Sequence, residues 1–143
     1  MQISGSYVFE APVERVWELL MDTTAIAGCL PGCRELRDLG EDRYHAELVV
    51  AVAAITGNYG ATVAIENKTP PRSYRLAVQG TGRSGFVKGH ADVILEPVSE
   101  GTRVNVAASA DIGGAVARVG QRLLEGVART MMNRFFACLR EKV

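Results

Sequence analysis

The feature that most constrains this chain is a stripe near its end. Val116, Val119, Leu123, Val127, Met131, Phe135 and Cys138 recur at spacings of three and four. That spacing places them on one face of a helix. The stripe opens just after Gly113-Gly114 and predicts a single helix of about 28 residues, on the order of 40 Å long. A one-sided apolar helix of that length draws its stability from a surface that covers it. The preceding residues must supply that surface.

They do so with a different period. From Cys33 to Asp111 apolar residues alternate with polar ones, as strands with one buried face require. Tyr44, Ala46, Leu48 and Val50 share one face, as do Tyr59, Ala61, Val63 and Ile65. Tyr74, Leu76 and Val78 follow, then Val87, Ala91, Val93 and Leu95, then Val104, Val106, Ala108 and Ala110. Asn67-Lys68-Thr69-Pro70-Pro71 and Glu96-Pro97-Val98-Ser99-Glu100-Gly101 break the runs as turns. A further strand lies at Ile3–Phe9, and Ala11-Pro12 opens a helix whose apolar face is Val13, Val16, Trp17 and Leu20. Asp22-Thr23-Thr24 caps a short second helix, ended by the glycine and proline of GCLPGC. The predicted architecture is α+β: a curved seven-stranded antiparallel sheet wrapped around a long C-terminal helix, with two short helices after the first strand. At 143 residues it makes one domain, spanning 1–143, large enough to bury roughly 70% of the surface its unfolded chain exposes.

Charge excludes some partners. Sixteen basic and sixteen acidic residues balance, which argues against nucleic acid, since phosphate neutralisation needs a basic face. The balance is uneven along the chain: residues 112–143 carry a net +4 and the remainder −4. Arg118, Arg122 and Arg129, spaced four and seven, would form a basic helix face that is either simply solvated or docks on an anionic membrane or acidic partner. Three cysteines are too few and too odd in number for a disulfide framework, and Cys29 and Cys33 read as small buried residues flanking a tight loop. The N-terminal MQISGSYVFEAP lacks the basic and apolar regions of a signal peptide. No run reaches the roughly 18 apolar residues of a membrane span. The expectation is a cytoplasmic protein, peripheral at the inner membrane face if it meets a membrane.

Catalytic and metal motifs find little support. In GTGRSGFVKGHADVIL, residues 80–95, the glycines precede a strand rather than a helix and lack a Gly-Lys-Ser/Thr ending. A phosphate loop needs the helix, so this stretch reads as a bend between two strands, with Arg83 and Phe86 at the bend. His90 and His45 fall on the faces opposite the apolar sets and should face solvent. Two thiols at Cys29 and Cys33 fill half of a zinc site, with no partner pair at zinc spacing. No nucleophile elbow occurs. No catalytic residue, metal site or cofactor is assigned.

The order of elements resembles the START-like (SRPBCC) superfamily, whose arrangement is called a helix-grip. Within it, GSYVFEAPVERVWELLMD, CLPGCREL, GTGRSGFVKGHADVIL and IGGAVARVGQRLLEGVA, in that order, resemble the family of the carbon monoxide dehydrogenase G-type subunit. The resemblance implies an accessory factor of a molybdenum hydroxylase of the carbon monoxide dehydrogenase type, with a quinone or another lipid as ligand. It also places Leu30 and Pro31 near a cavity mouth. Members often continue past the last helix into a linker and hydrophobic anchor; neither follows the last helix in this sequence, so the expectation is against autonomous membrane anchoring.

The inward set is mostly hydrocarbon and aromatic: Tyr44, Leu48, Tyr59, Val63, Tyr74, Leu76, Val78, Val93, Val106 and Met131. Phe86 at the bend and Val119, Leu123 and Val127 on the helix stripe complete the candidate ligand-binding residues. Small inward residues, Ala46, Ala61, Ala91, Ala108 and Ala110, either leave a cavity or let the helix pack close. Tyrosines suit a ligand with an apolar skeleton and a few oxygens. Three functions stay open: non-catalytic binding of a hydrophobic small molecule; a START-like cyclase or dehydratase using Tyr59, Tyr74, Arg83 and His90; and a scaffold with a filled core.

Overall fold

The computed structural model of the protein describes residues 1–52 and 55–143. Strand β1 (Gln2–Phe9) is followed by helices α1 (Val13–Leu20) and α2 (Thr23–Cys29). Six strands follow: β2 (Cys33–Gly40), β3 (Arg43–Val50), β4 (Gly57–Thr69), β5 (Ser73–Gly82), β6 (Gly85–Val98) and β7 (Gly101–Gly113). A 3-10 turn (Ala115–Val119) leads into helix α3 (Gln121–Arg140). Among the described residues the strands form one seven-stranded antiparallel sheet in the order β1-β7-β6-β5-β4-β3-β2. This is the α+β helix-grip architecture expected from the alternating strands and the final stripe.

Local chemistry explains the elements. Asp22 caps α2 by accepting from the amides of Thr24 (3.0 Å) and Ala25 (3.2 Å). Pro12 stands immediately before α1 in an extended conformation, where its missing N–H costs nothing. The glycine-rich stretch is a hairpin, with Gly82 paired to Gly85 across Arg83 and Ser84. Gly85 has φ +145°, and a Cβ there would strike the carbonyl oxygen of Gly113 on β7. A glycine is required by that close approach, not by any phosphate.

One end of the grip is solid. Phe9, Val16, Leu95, Val104 and Leu139 are completely enclosed, and the Thr102 hydroxyl, buried among them, donates to the carbonyl of Ala11 at 2.8 Å. Phe136 stacks on Tyr7 (4.2 Å between centroids) and meets Phe9 edge-on. The core therefore ties β1, β6 and β7 to α1 and to the C-terminal turns of α3.

Two expectations are corrected. The final helix is not continuous over about 28 residues: it spans 20, Gln121–Arg140, after a separate 3-10 turn. Gly120 lies between them at φ +98°, outside helical geometry, so the chain changes direction although the apolar spacing runs on. Arg118 consequently sits on the 3-10 turn and does not share a helix with Arg122 and Arg129. The cysteines are not all free either. Cys29, at the end of α2, is disulfide-bonded to Cys138 in the last turn of α3, across 109 residues. Folding brings these Cα atoms within 5.4 Å, a proximity invisible in the spacing. Cys33 remains a thiol whose pKa burial raises, its S–H directed at the Glu35 carbonyl.

Candidate ligand cavity

Away from the solid end, the concave face of the sheet is lined by small side chains. Ala46 pairs with Ala61 and Ala61 with Gly80, putting three of the smallest residues side by side across β3, β4 and β5. A second row runs Leu76–Ala91 across β5 and β6, and its neighbour on β7, Ala108, lies outside the cavity lining. Between these rows and α3 lies a cavity of about 370 Å³, within the usual range of small-molecule sites. Helix α3 closes it with Met131, Met132, Phe135 and Phe136, and the α1–α2 corner with Leu20, Met21, Thr23 and Ile26.

The structure brings ten of the sequence-identified residues to this wall: Leu30, Tyr44, Leu48, Val63, Tyr74, Leu76, Val78, Val93, Val106 and Met131. Six others are not in the lining. Pro31 lies one residue past the wall at Leu30, and Phe86 points outward and is half exposed. Val119 belongs to the 3-10 turn, and Leu123 and Val127 to the first turns of α3, short of the cavity. The Tyr59 hydroxyl is taken by the carbonyl of Ile55 at 2.7 Å. Sequence reasoning missed Met132 and Phe136, each one residue beyond a stripe position. It also missed Leu36 on β2 and the α1–α2 corner. The double Met131-Met132 and Phe135-Phe136 steps were the available signal, since adjacent large residues widen a helix's apolar face beyond a single line.

Among the described residues the wall carries no charged side chain and is almost wholly hydrocarbon, Thr23, Tyr44 and Tyr74 being the lining residues that have a side-chain oxygen at all. Trp17 holds Tyr74 edge-on, with centroids 5.5 Å apart, and burial raises the phenol's pKa well above its ordinary value. The four residues weighed for catalysis do not converge. Tyr74 is in the cavity, whereas Tyr59 is hydrogen-bonded to Ile55, Arg83 is exposed in the hairpin turn and His90 is exposed on the convex face. His90 there borders a shallow polar groove with Asp92, Ser109 and Arg129. His45 also faces outward, bonded to Glu47 at 2.6 Å. Among the described residues no group of three or more His, Cys, Asp or Glu is placed to hold a metal ion. Among them, too, no helix is long and apolar enough to cross a membrane.

A curved antiparallel sheet gripping a C-terminal helix over an apolar space places the protein in the START-like, helix-grip class. The sequence profile of the CoxG family, named for the G-type subunit of carbon monoxide dehydrogenase, matches residues 5–143, and the chain belongs to that family. A crystal structure of a conserved protein from Geobacillus kaustophilus is similar at 36% identity and a TM-score of 0.95, covering 99% of this chain and 94% of that one. A protein from Chromobacterium violaceum shares the fold at 16% identity and a TM-score of 0.75, with 98% and 95% of the two chains covered. One from Mycobacterium smegmatis shares it at 14% identity and a TM-score of 0.74, with 98% and 88% covered. No curated protein matches the sequence.

Proposed function

We propose that the protein binds a hydrophobic, quinone- or lipid-like molecule inside the helix-grip without transforming it. The observation that carries this reading is the cavity of about 370 Å³ with an almost wholly hydrocarbon wall. Its size falls within the range of small-molecule sites, and a hydrocarbon wall suits an apolar occupant better than water. A scaffold with a filled core does not account for it. The family description supports a role as accessory factor to a carbon monoxide dehydrogenase-type molybdenum hydroxylase. In that role the ligand would be carried to or from the enzyme. Arg118 and Arg122 are exposed and without an ion pair among the described residues. They are the positions we assign to docking on the hydroxylase subunits or, peripherally, on an anionic membrane face. Arg129 contributes less, because its guanidinium donates to the Ser4 carbonyl at 3.0 Å.

Native mass spectrometry of the protein mixed with extracted lipids and quinones tests the reading. The expected result is a one-to-one complex whose added mass matches a neutral apolar compound. Retention of nothing, from a mixture spanning both compound classes, overturns it.

A further inference from the structure

Among the described residues β2 is the last strand of the sheet, with β3 its neighbour on one side. An edge strand presents backbone groups on its outer side, a template for a further strand. Here the edge is open to solvent, since Arg34, Glu35, Arg37, Asp38 and Leu39 are all exposed. Its charges follow an order: Arg34-Glu35-Leu36-Arg37-Asp38 reads plus, minus, apolar, plus, minus. Reversed, the segment reads minus, plus, apolar, minus, plus. Two copies laid antiparallel about Leu36 therefore set opposite charges face to face at every charged position. Arg34 meets the partner's Asp38, and Glu35 meets the partner's Arg37. Within one chain the register on β3 instead places Glu35 opposite Glu47, a like-charge pair that cross-strand pairing disfavours. Arg37 Nε already reaches Glu35 Oε1 along the strand at 3.3 Å. A second copy completes a square on that face, each carboxylate standing between its own Arg37 and the partner's Arg37.

We propose that β2 is a self-pairing edge: a second copy of this chain adds its own β2 antiparallel, with the two-fold axis at Leu36, and one sheet runs through both copies. The charge order specifies this register against its neighbours. A slip of one or two residues in either direction sets a like pair face to face: Arg34 on Arg37, Glu35 on Asp38, or Glu35 or Arg37 on its own counterpart. The same charges repel strands of other sequence, so the edge is selective rather than adhesive. Register shifts flank Glu35–Asp38, which keeps the ladder short and the dimer weak and reversible. Leu36 also lines the cavity, so the two cavities of the dimer lie on either side of the axis.

Sedimentation velocity of the intact protein from about 10 µM to about 1 mM tests this, at low salt and at about 0.5 M. The expected result is a monomer that converts to a dimer as concentration rises, with the association constant falling in high salt. Glu35→Arg makes the inner positions of the strand all positive, and Arg37→Glu makes them all negative. Each substitution alone should lower the constant by about tenfold or more. An equimolar mixture of the two variants should recover it to within about threefold, because opposite charges again meet across the axis. Both side chains are more than half exposed, so neither change disturbs the core. A monomer at every concentration overturns the proposal. A dimer that both single reversals leave intact overturns it too, as does loss in each variant without recovery in the mixture.

Discussion

Tyr74 sets a pH dependence that needs no ligand. An ionised phenolate in a hydrocarbon wall is disfavoured, so the folded protein holds this proton above the ordinary tyrosine value of 10.0. An unfolded chain loses it near that value. Above it the native state binds more protons than the unfolded state, and stability falls as pH rises; below it the contribution is fully present. Tyr7 is shifted in the same direction by burial and adds to the effect. Urea unfolding should therefore show a drop in stability between about pH 8 and pH 11 that is about 1 kcal/mol smaller in Tyr74→Phe. Equal drops in the two proteins would place the Tyr74 hydroxyl in water. At this scale the sequence was informative about direction: alternation alone put Tyr74 inward and His90 and His45 outward. It could not show that the Tyr59 hydroxyl bonds to the Ile55 carbonyl, because that depends on where the chain near Ile55 passes.

The final helix shows how far periodicity carries at the scale of an element. The three-and-four spacing located a buried face correctly from Met131 to Cys138, where the helix seals the cavity and meets the core. It overreached at Val119 and Leu123, because a period of 3.6 is blind to a backbone reversal that a glycine makes easy. Gly120 and Gly126 on this segment make a paired test. Gly120 holds φ +98°, while Gly126 lies inside α3 with nothing within 4 Å of an added Cβ. Gly126→Ala should stabilise the protein by about 0.5–1 kcal/mol through helix propensity. Gly120→Ala should destabilise it by about 1 kcal/mol or more, since alanine resists that conformation. Thermal midpoints measured side by side decide it; two shifts of the same sign would mean α3 runs unbroken through Gly120. The Cys29–Cys138 bond escaped sequence reasoning for a related reason. Which cysteines meet depends on α2 packing beside the end of α3, a tertiary fact that cysteine count does not encode.

The whole molecule divides its concave face into a packed end and one that opens into the cavity, and the division follows side-chain volume along the strands. Where Tyr7, Phe9, Leu95 and Val104 face α1 and the end of α3, the core is solid; where Ala46, Ala61, Gly80 and Ala91 take their place, the space opens. Those alanines were legible in the sequence as inward and small, but cavity and close packing remained alternatives, because the height of the helix above the sheet is set elsewhere, by Phe136 and Leu139 in the core. Filling the space tests whether it is the binding site. Ala61→Leu adds three carbons above a row flanked by Ala46 and Gly80. In a packed core such an insertion costs about 1–3 kcal/mol. In a void the added carbons gain burial of about 0.8 kcal/mol per methylene with little to displace. Stability of Ala61→Leu should thus hold or rise, while affinity for methyl decanoate falls by about tenfold or more, roughly 1.4 kcal/mol per decade. Ala64, on the opposite face of the same strand and paired with Ala77, is the control, and Ala64→Leu should leave binding intact. Strong destabilisation of Ala61→Leu would mean that the helix rests on the sheet there. Undiminished binding would move the ligand out of the grip.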